Sequence, residues 1–173
     1  MRPPLTLPML LITALVAVPL HPSTWAADEV VIPSDFKLTA EYASPDYSWA
    51  TTITAEGDVS QVWRSPEVFE ATGKDEARKQ LKLTRKDLET LVSKAKKADL
   101  FSLPLEISKG GEDSAWYRLS VTMSRKTHET YSAGPSRTER QENRFYLVYS
   151  EVLRHVASPF PGQEAKRYDP AAR

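Results

Sequence analysis

Between Trp116 and Met123 the chain alternates without a break. Tyr117, Leu119, Val121 and Met123 fall on one side of an extended backbone, and Trp116, Arg118, Ser120 and Thr122 on the other. Successive side chains of a strand point to opposite faces, so this run specifies a strand with one apolar and one polar side. A chain carrying such a strand has to provide neighbours that complete a sheet and a second layer that covers the apolar side.

The neighbours are legible upstream and downstream. Phe36, Leu38, Ala40 and Tyr42 alternate with polar residues, and Tyr47, Trp49, Thr51 and Ile53 form one face of the next extended run. Glu56-Gly57-Asp58 follows, and Gly57 supplies the positive φ of a tight turn, so a hairpin leads into a third strand around Val59 to Trp63. The alternation of that strand breaks at Val62-Trp63, which reads as a bulge or a sheet edge. Residues 65–82 are charged and weakly patterned, and are expected to form a loop with room for a short helical turn. Arg125-Lys126 turns the chain into a fifth strand, "THETYSA", which Gly134-Pro135 ends.

The covering layer comes from two amphipathic stretches. Thr84 and Asp87 stand in capping-box spacing, with Leu83 and Leu88 placed for a hydrophobic staple. Leu88, Leu91, Val92, Ala95 and Ala98 recur at helical spacing, and Lys94, Lys96 and Lys97 lie near the C-terminal end, where the helix dipole favours cations. In the exit "KKADLFSLP", Leu100, Phe101 and Leu103 continue the buried side and Pro104 forbids further helix. Ser136 with Glu139, or Thr138 with Gln141, caps a second helix with the stripe Phe145, Val148, Tyr149, Val152, Leu153 and Val156. The expected fold is α+β: an antiparallel sheet of about five strands with two helices on one face, in the order βββαββα.

The first 26 residues read as a secretory signal peptide: Arg2, an apolar run from Leu5 to Leu20, then small residues before Ala26-Ala27. The run is interrupted by Pro8 and Pro19 and is too short to span a bilayer. An exported protein, periplasmic or extracellular, is expected. Residues 27–158 form a single domain, residues 159–173 a flexible proline-rich tail, and no stable membrane insertion persists once the signal is removed. The chain has no cysteine, so neither lipidation at cysteine nor a disulfide contributes. Removing Arg2 leaves 22 cationic against 23 anionic side chains. That balance gives no general electrostatic reason to bind nucleic acid.

Chemistry is sparse. His128 and His155 lack a second histidine at metal-ligand spacing, so no metal is expected, and no motif calls for a cofactor. No Gly-x-Ser-x-Gly elbow is present, and Gly110-Gly111 is followed by acids rather than by a phosphate-binding Lys-Ser or Lys-Thr. Glu112 and Asp113 are the one pair of loop carboxylates that acid–base catalysis would use, although adjacent acids before a strand more commonly mark a solvated turn. Trp49 lies on the apolar face and reads as core. Trp63 is ambiguous, and Trp116, on the polar face, is a candidate contact residue. The turns around Ser44-Pro45-Asp46 and Gly110-Gly111-Glu112 are the candidate binding loops.

The segments "LTRKDLETLVSKAKKADLFSLP", "GGEDSAWYRLSV", "THETYSA" and "FYLVYSEVLRHV" together resemble the emfourin family of small proteins. The resemblance spans residues 81–156, with Phe101, Leu103, Pro104, Asp113 and Tyr117 at matching positions; most of these, with Leu119, look architectural. It implies a protein inhibitor of thermolysin-like zinc metalloproteases acting on another exported protein. The leading expectation is therefore a non-enzymatic, exported interaction domain that works as such an inhibitor, with Trp116, Glu112, Asp113, Pro45 and Asp46 as contacts. The alternatives are a small envelope enzyme using the loop carboxylates and a structural or assembly protein of the envelope.

Overall fold

The computed structural model describes residues 30–110, 114–133 and 140–156. Its strands are β1 (Lys37–Ala43), β2 (Ser48–Thr54), β3 (Asp58–Arg64), β4 (Ala77–Lys82), β5 (Glu106–Ser108), β6 (Trp116–Met123) and β7 (Lys126–Ser132). The helices are α1 (Pro66–Thr72), α2 (Arg85–Ala98) and α3 (Arg140–Leu153), with one 3-10 turn over Leu100–Ser102. The strands form one seven-stranded sheet in the order β4-β3-β2-β1-β6-β7-β5. Every pairing is antiparallel except that of β5 with β7, which is parallel.

This corrects the expected five-stranded antiparallel sheet with two helices. The additional elements come from the stretch expected to be a loop and from the segment after α2. Ser65 caps α1, its Oγ accepting from the Val68 N–H at 3.2 Å; Pro66 occupies the first turn, and Gly73, at φ 66°, closes the end. A serine cap, an early proline and a terminal glycine are a short helix's start and stop signals. β4 turns Ala77, Lys79 and Leu81 toward the core side and Arg78, Gln80 and Lys82 away from it. Because β4 occupies the outer position, β3 is an interior strand, and its registry runs from Asp58 to Arg64 without a bulge.

One face of the sheet is buried, and its register resolves into three cross-strand rows. Val59, Ile53, Leu38 and Val121 form one; Gln61, Thr51, Ala40, Leu119 and Thr130 the next; Trp63, Trp49, Tyr42, Tyr117 and Ser132 the third. The apolar stripes of α2 (Leu88, Leu91, Val92, Ala95, Ala98) and α3 (Phe145, Val148, Tyr149, Val152, Leu153) join these rows in one core. The middle row mixes apolar Ala40 and Leu119 with the buried polar residues Gln61, Thr51 and Thr130. Within it Gln61 is fully buried and donates through Nε2 to the His155 carbonyl at 3.1 Å, which ties the end of α3 to the sheet.

The capping box of α2 is present: Thr84 Oγ1 accepts from the Asp87 N–H at 3.2 Å and donates to Asp87 Oδ2 at 2.7 Å. At its other end the chain leaves the helix through Asp99, at φ 47°, into the 3-10 turn. Leu100 and Leu103 are buried, Phe101 is half-buried beside the His128 ring, and Pro104 is exposed. Arg144 of α3 donates to the Ala98 carbonyl at 2.6 Å and to Ser102 Oγ at 2.7 Å, filling acceptors that the end of α2 leaves open. The expected caps Ser136 and Thr138, the signal segment and the C-terminal tail lie outside the described residues. No helix among the described residues is long and apolar enough to cross a membrane.

Candidate functional site

Among the described residues, no helix covers the opposite face of the sheet. One of its rows runs Gln80, Ser60, Thr52, Thr39, Ser120, Glu129 across six strands, and another runs Arg78, Val62, Ala50, Glu41, Arg118, Tyr131. The short hydroxyl side chains bond to one another: Thr39 to Thr52 at 3.1 Å, Thr122 to Thr127 at 2.9 Å, and Gln80 Nε2 to Ser60 Oγ at 3.1 Å. These pairs satisfy the hydroxyls sideways, whereas Thr54 Oγ1 and Arg118 Nε on the same face are buried without a partner.

Features that break this uniformity gather at one end of the sheet. Ala43, the last residue of β1, lies opposite both Trp116 and Ser48, so Trp116 and the start of β2 stand two strands apart, roughly 10 Å. The β1–β2 turn between them is closed by the Ser44 N–H donating to the Tyr47 carbonyl at 2.8 Å, with Ser44 Oγ on the same oxygen at 3.1 Å. Pro45 and Asp46 are exposed at its tip.

The turn rests on an aromatic cluster. The Tyr47 ring lies 5.8 Å from Tyr42, Tyr42 lies 5.1 Å from Tyr117, and Tyr117 lies 5.4 Å from Tyr149. Tyr149 stacks on Phe145 at 5.4 Å, and its hydroxyl donates to the Glu41 carbonyl at 2.9 Å. Aromatic pairs at such distances contribute about 0.5–1.5 kcal/mol each beyond their burial. The tip is therefore exposed while its base is fixed.

A depression lies on either side of the turn. The first, of about 420 Å³, is bounded by Pro45, Asp46, Arg64, Pro66, Phe69 and Asp75; Phe69 of α1 is 54% exposed there. The second, of about 380 Å³, is bounded by Ser108, Gly110, Ser114, Trp116, Arg118 and Tyr131. In the second, Arg118 donates through one terminal nitrogen to both carboxylate oxygens of Glu41, at 2.7 and 2.6 Å, and its guanidinium sits 5.9 Å from the centre of the Trp116 ring. Hydrogen bonding to Glu41 raises the Arg118 pKa further, so the cation is permanent. The Tyr131 hydroxyl donates to Glu106, which raises its pKa and keeps the phenol protonated at neutral pH.

Of the candidate binding residues, the structure brings Pro45, Asp46 and Trp116 to the same end of the sheet. Glu112 and Asp113, with Gly111, lie outside the described residues. Of the residues expected to be architectural, Leu103 and Leu119 are buried and Tyr117 half-buried, whereas Pro104 contributes through its carbonyl, which accepts from Thr130 Oγ1 at 2.7 Å. Trp63 is core, at 2% exposure. Phe69, Arg118 and Tyr131 were not singled out from sequence: Phe69 sits in the weakly patterned stretch, Arg118 is read only as the polar phase of its strand, and Tyr131 only as part of the fifth strand. Among the described residues no group of three His, Asp or Glu side chains could hold a metal ion. In comparisons with known proteins, no family model matches this chain and none of the curated proteins matches it.

Proposed function

We propose that the protein is an exported, non-enzymatic binding domain whose β1–β2 turn enters a cleft on another exported protein. Its sharpest form is inhibition of a thermolysin-like zinc metalloprotease, the activity implied by the resemblance to emfourins. The observation that carries the reading is the contrast within the turn: Pro45 and Asp46 stand exposed, while Ser44, Tyr47 and the tyrosine cluster beneath hold the backbone in one geometry. A tip held this way loses little conformational entropy on binding, which is how preorganised loops gain affinity. Phe69 offers an exposed aromatic contact beside it.

The test is titration of the purified protein against a thermolysin-type protease with a peptide substrate. Inhibition at micromolar protein is expected, weakened about tenfold or more, equivalent to roughly 1.4 kcal/mol, by Asp46→Ala or Phe69→Ala. Unchanged proteolysis at that concentration removes the inhibitor reading for this protease class.

A further inference from the structure

At the end of the sheet opposite the β1–β2 turn, we propose that Asp35 is an acid-released clasp that holds the β6–β7 turn in a conformation its own residues disfavour. The hairpin closes through two residues, Ser124 and Arg125, between the paired Met123 and Lys126. Both stand at positive φ, 54° and 63°, the combination of a type I′ turn. Such a turn suits Asn-Gly, because a Cβ crowds the following carbonyl in the left-handed region and glycine, asparagine and aspartate are the residues that enter it routinely. Serine and arginine lack that advantage. The conformation therefore needs support from outside the hairpin, and Asp35 supplies it.

The carboxylate meets the turn with both oxygens: Oδ1 accepts from the Ser124 N–H at 2.9 Å, and Oδ2 accepts from the Arg125 N–H. The β1–β6 register, continued one step past Lys37 and Thr122, sets Asp35 against Ser124. Asp35 is itself held in place, since its neighbour Phe36 is buried and donates its N–H to the Pro33 carbonyl at 3.0 Å. Two amides aimed at one anion form charge-assisted hydrogen bonds, which the ionised carboxylate accepts and the protonated acid accepts more weakly. The Arg125 N–H does most to hold the Asp35 pKa below the ordinary aspartate value; desolvation opposes it, and the Ser124 N–H and the Arg125 guanidinium add to it. The other charged groups around this corner are Lys37 on β1, Lys126 on β7 and Glu56 in the β2–β3 turn. With a depressed folded-state pKa, the clasp is closed above the ordinary aspartate range and opens as the pH falls through the folded value. Closed, it keeps the loop at two residues and so fixes the β6–β7 register; a slip of one residue would turn Thr130 and Ser132 from the covered face to the open one.

The backbone amide signals of Ser124 and Arg125 in the ¹⁵N-labelled full chain report the clasp directly. Between about pH 6 and pH 3 both are expected to move together as the Asp35 carboxyl takes up its proton, with the Trp49 and Trp63 indole signals showing that the core stays folded. In Asp35→Asn, which keeps the shape without the charge, neither amide should follow the acid titration. A double-mutant cycle at neutral pH reads the strain: Asp35→Ala is expected to lower the thermal midpoint of the parent, and to lower it clearly less once Ser124→Asn and Arg125→Gly have given the turn residues that need no support. Three results overturn the proposal: amides that stay still in acid while the core is folded, an acid response that survives in Asp35→Asn, or an Asp35→Ala loss as large in the Asn-Gly background as in the parent. Where acid unfolds the core first, the cycle at neutral pH decides.

Discussion

The two faces of the sheet are built from the same strands and solve opposite problems. On the covered face the outer rows are mostly large and apolar, and the middle row carries the buried polar residues Gln61, Thr51 and Thr130, with Gln61 bonded to the His155 carbonyl just past α3. On the open face serine and threonine pair across strands, and charged residues pair toward the β4 edge, as Lys82 with Asp58 and Arg64 and Arg78 with Glu76, and in the central strands, as Arg118 with Glu41. The comparison shows short hydroxyls satisfied sideways on a face that no described helix covers, with Thr54 Oγ1 and Arg118 Nε as the exceptions. It also shows where function has room: away from both the packed core and the paired hydroxyl field, at the end of the sheet where Trp116, the Pro45-Asp46 tip and Phe69 stand exposed.

Truncating the covered face is the largest test of this contrast. Phe145 is fully buried and packed between Tyr146 and Tyr149, so Phe145→Ala is expected to cost about 3–5 kcal/mol of unfolding free energy, measured by denaturant titration. A loss no larger than that of an open-face substitution would mean the core is not organised by this cluster.

An intermediate effect is expected at the seam between the two covering helices. Glu151 of α3 is buried and pairs with Lys94 of α2 at 2.6 Å and with Arg154 at 3.1 Å. Burial is the strongest influence on its carboxyl and pushes the pKa up, but Lys94 and Arg154 together outweigh it and leave the pKa below the ordinary glutamate value. A depressed folded-state pKa contributes stability above the unfolded-state value and loses it as the pH falls through the folded one. Glu151→Gln should therefore cost about 1.5–3 kcal/mol at neutral pH. The gap to the parent protein should narrow on acidification below about pH 4, read from unfolding curves at the two pH values. A gap that widens in acid would reverse the assignment.

The smallest effect is expected on the open face. Thr52→Val removes a hydroxyl paired with Thr39 and keeps the β-branched shape, so a change within about 0.5 kcal/mol is expected. A loss several times larger would show that the lateral hydroxyl network is cooperative and that the open face contributes to stability as the covered one does.

The elements that could be read in advance are those whose signals are local. The α2 stripe, its Thr84–Asp87 box and the alternation of β1, β2 and β6 each lie within one window of sequence. The elements missed are those whose reason lies elsewhere in space. β4 alternates Ala77, Lys79 and Leu81 with three polar residues, a weak pattern because an outer strand buries little; it is a strand because β3 pairs with it. β5 is three residues long and runs parallel to β7, a partner more than 20 residues away, which no periodicity announces. The apparent irregularity at Val62-Trp63 is only an apolar residue on the open face beside a buried one. The candidate site shows the same division: Pro45, Asp46 and Trp116 could be chosen as exposed turn and polar-face residues, but nothing local says that Ala43 places them at one end, or that Phe69 and Tyr131 join them.

What the sequence determined by itself is therefore the inventory: which runs are extended, which are helical, and which side of each is apolar. Those are consequences of residue spacing along one stretch of chain. The tertiary structure decided the number and order of strands, the parallel edge at β5, the burial of Gln61 and the grouping of exposed aromatics around one turn. These depend on hydrogen bonds and contacts between segments far apart in the chain, whose energies no single segment contains.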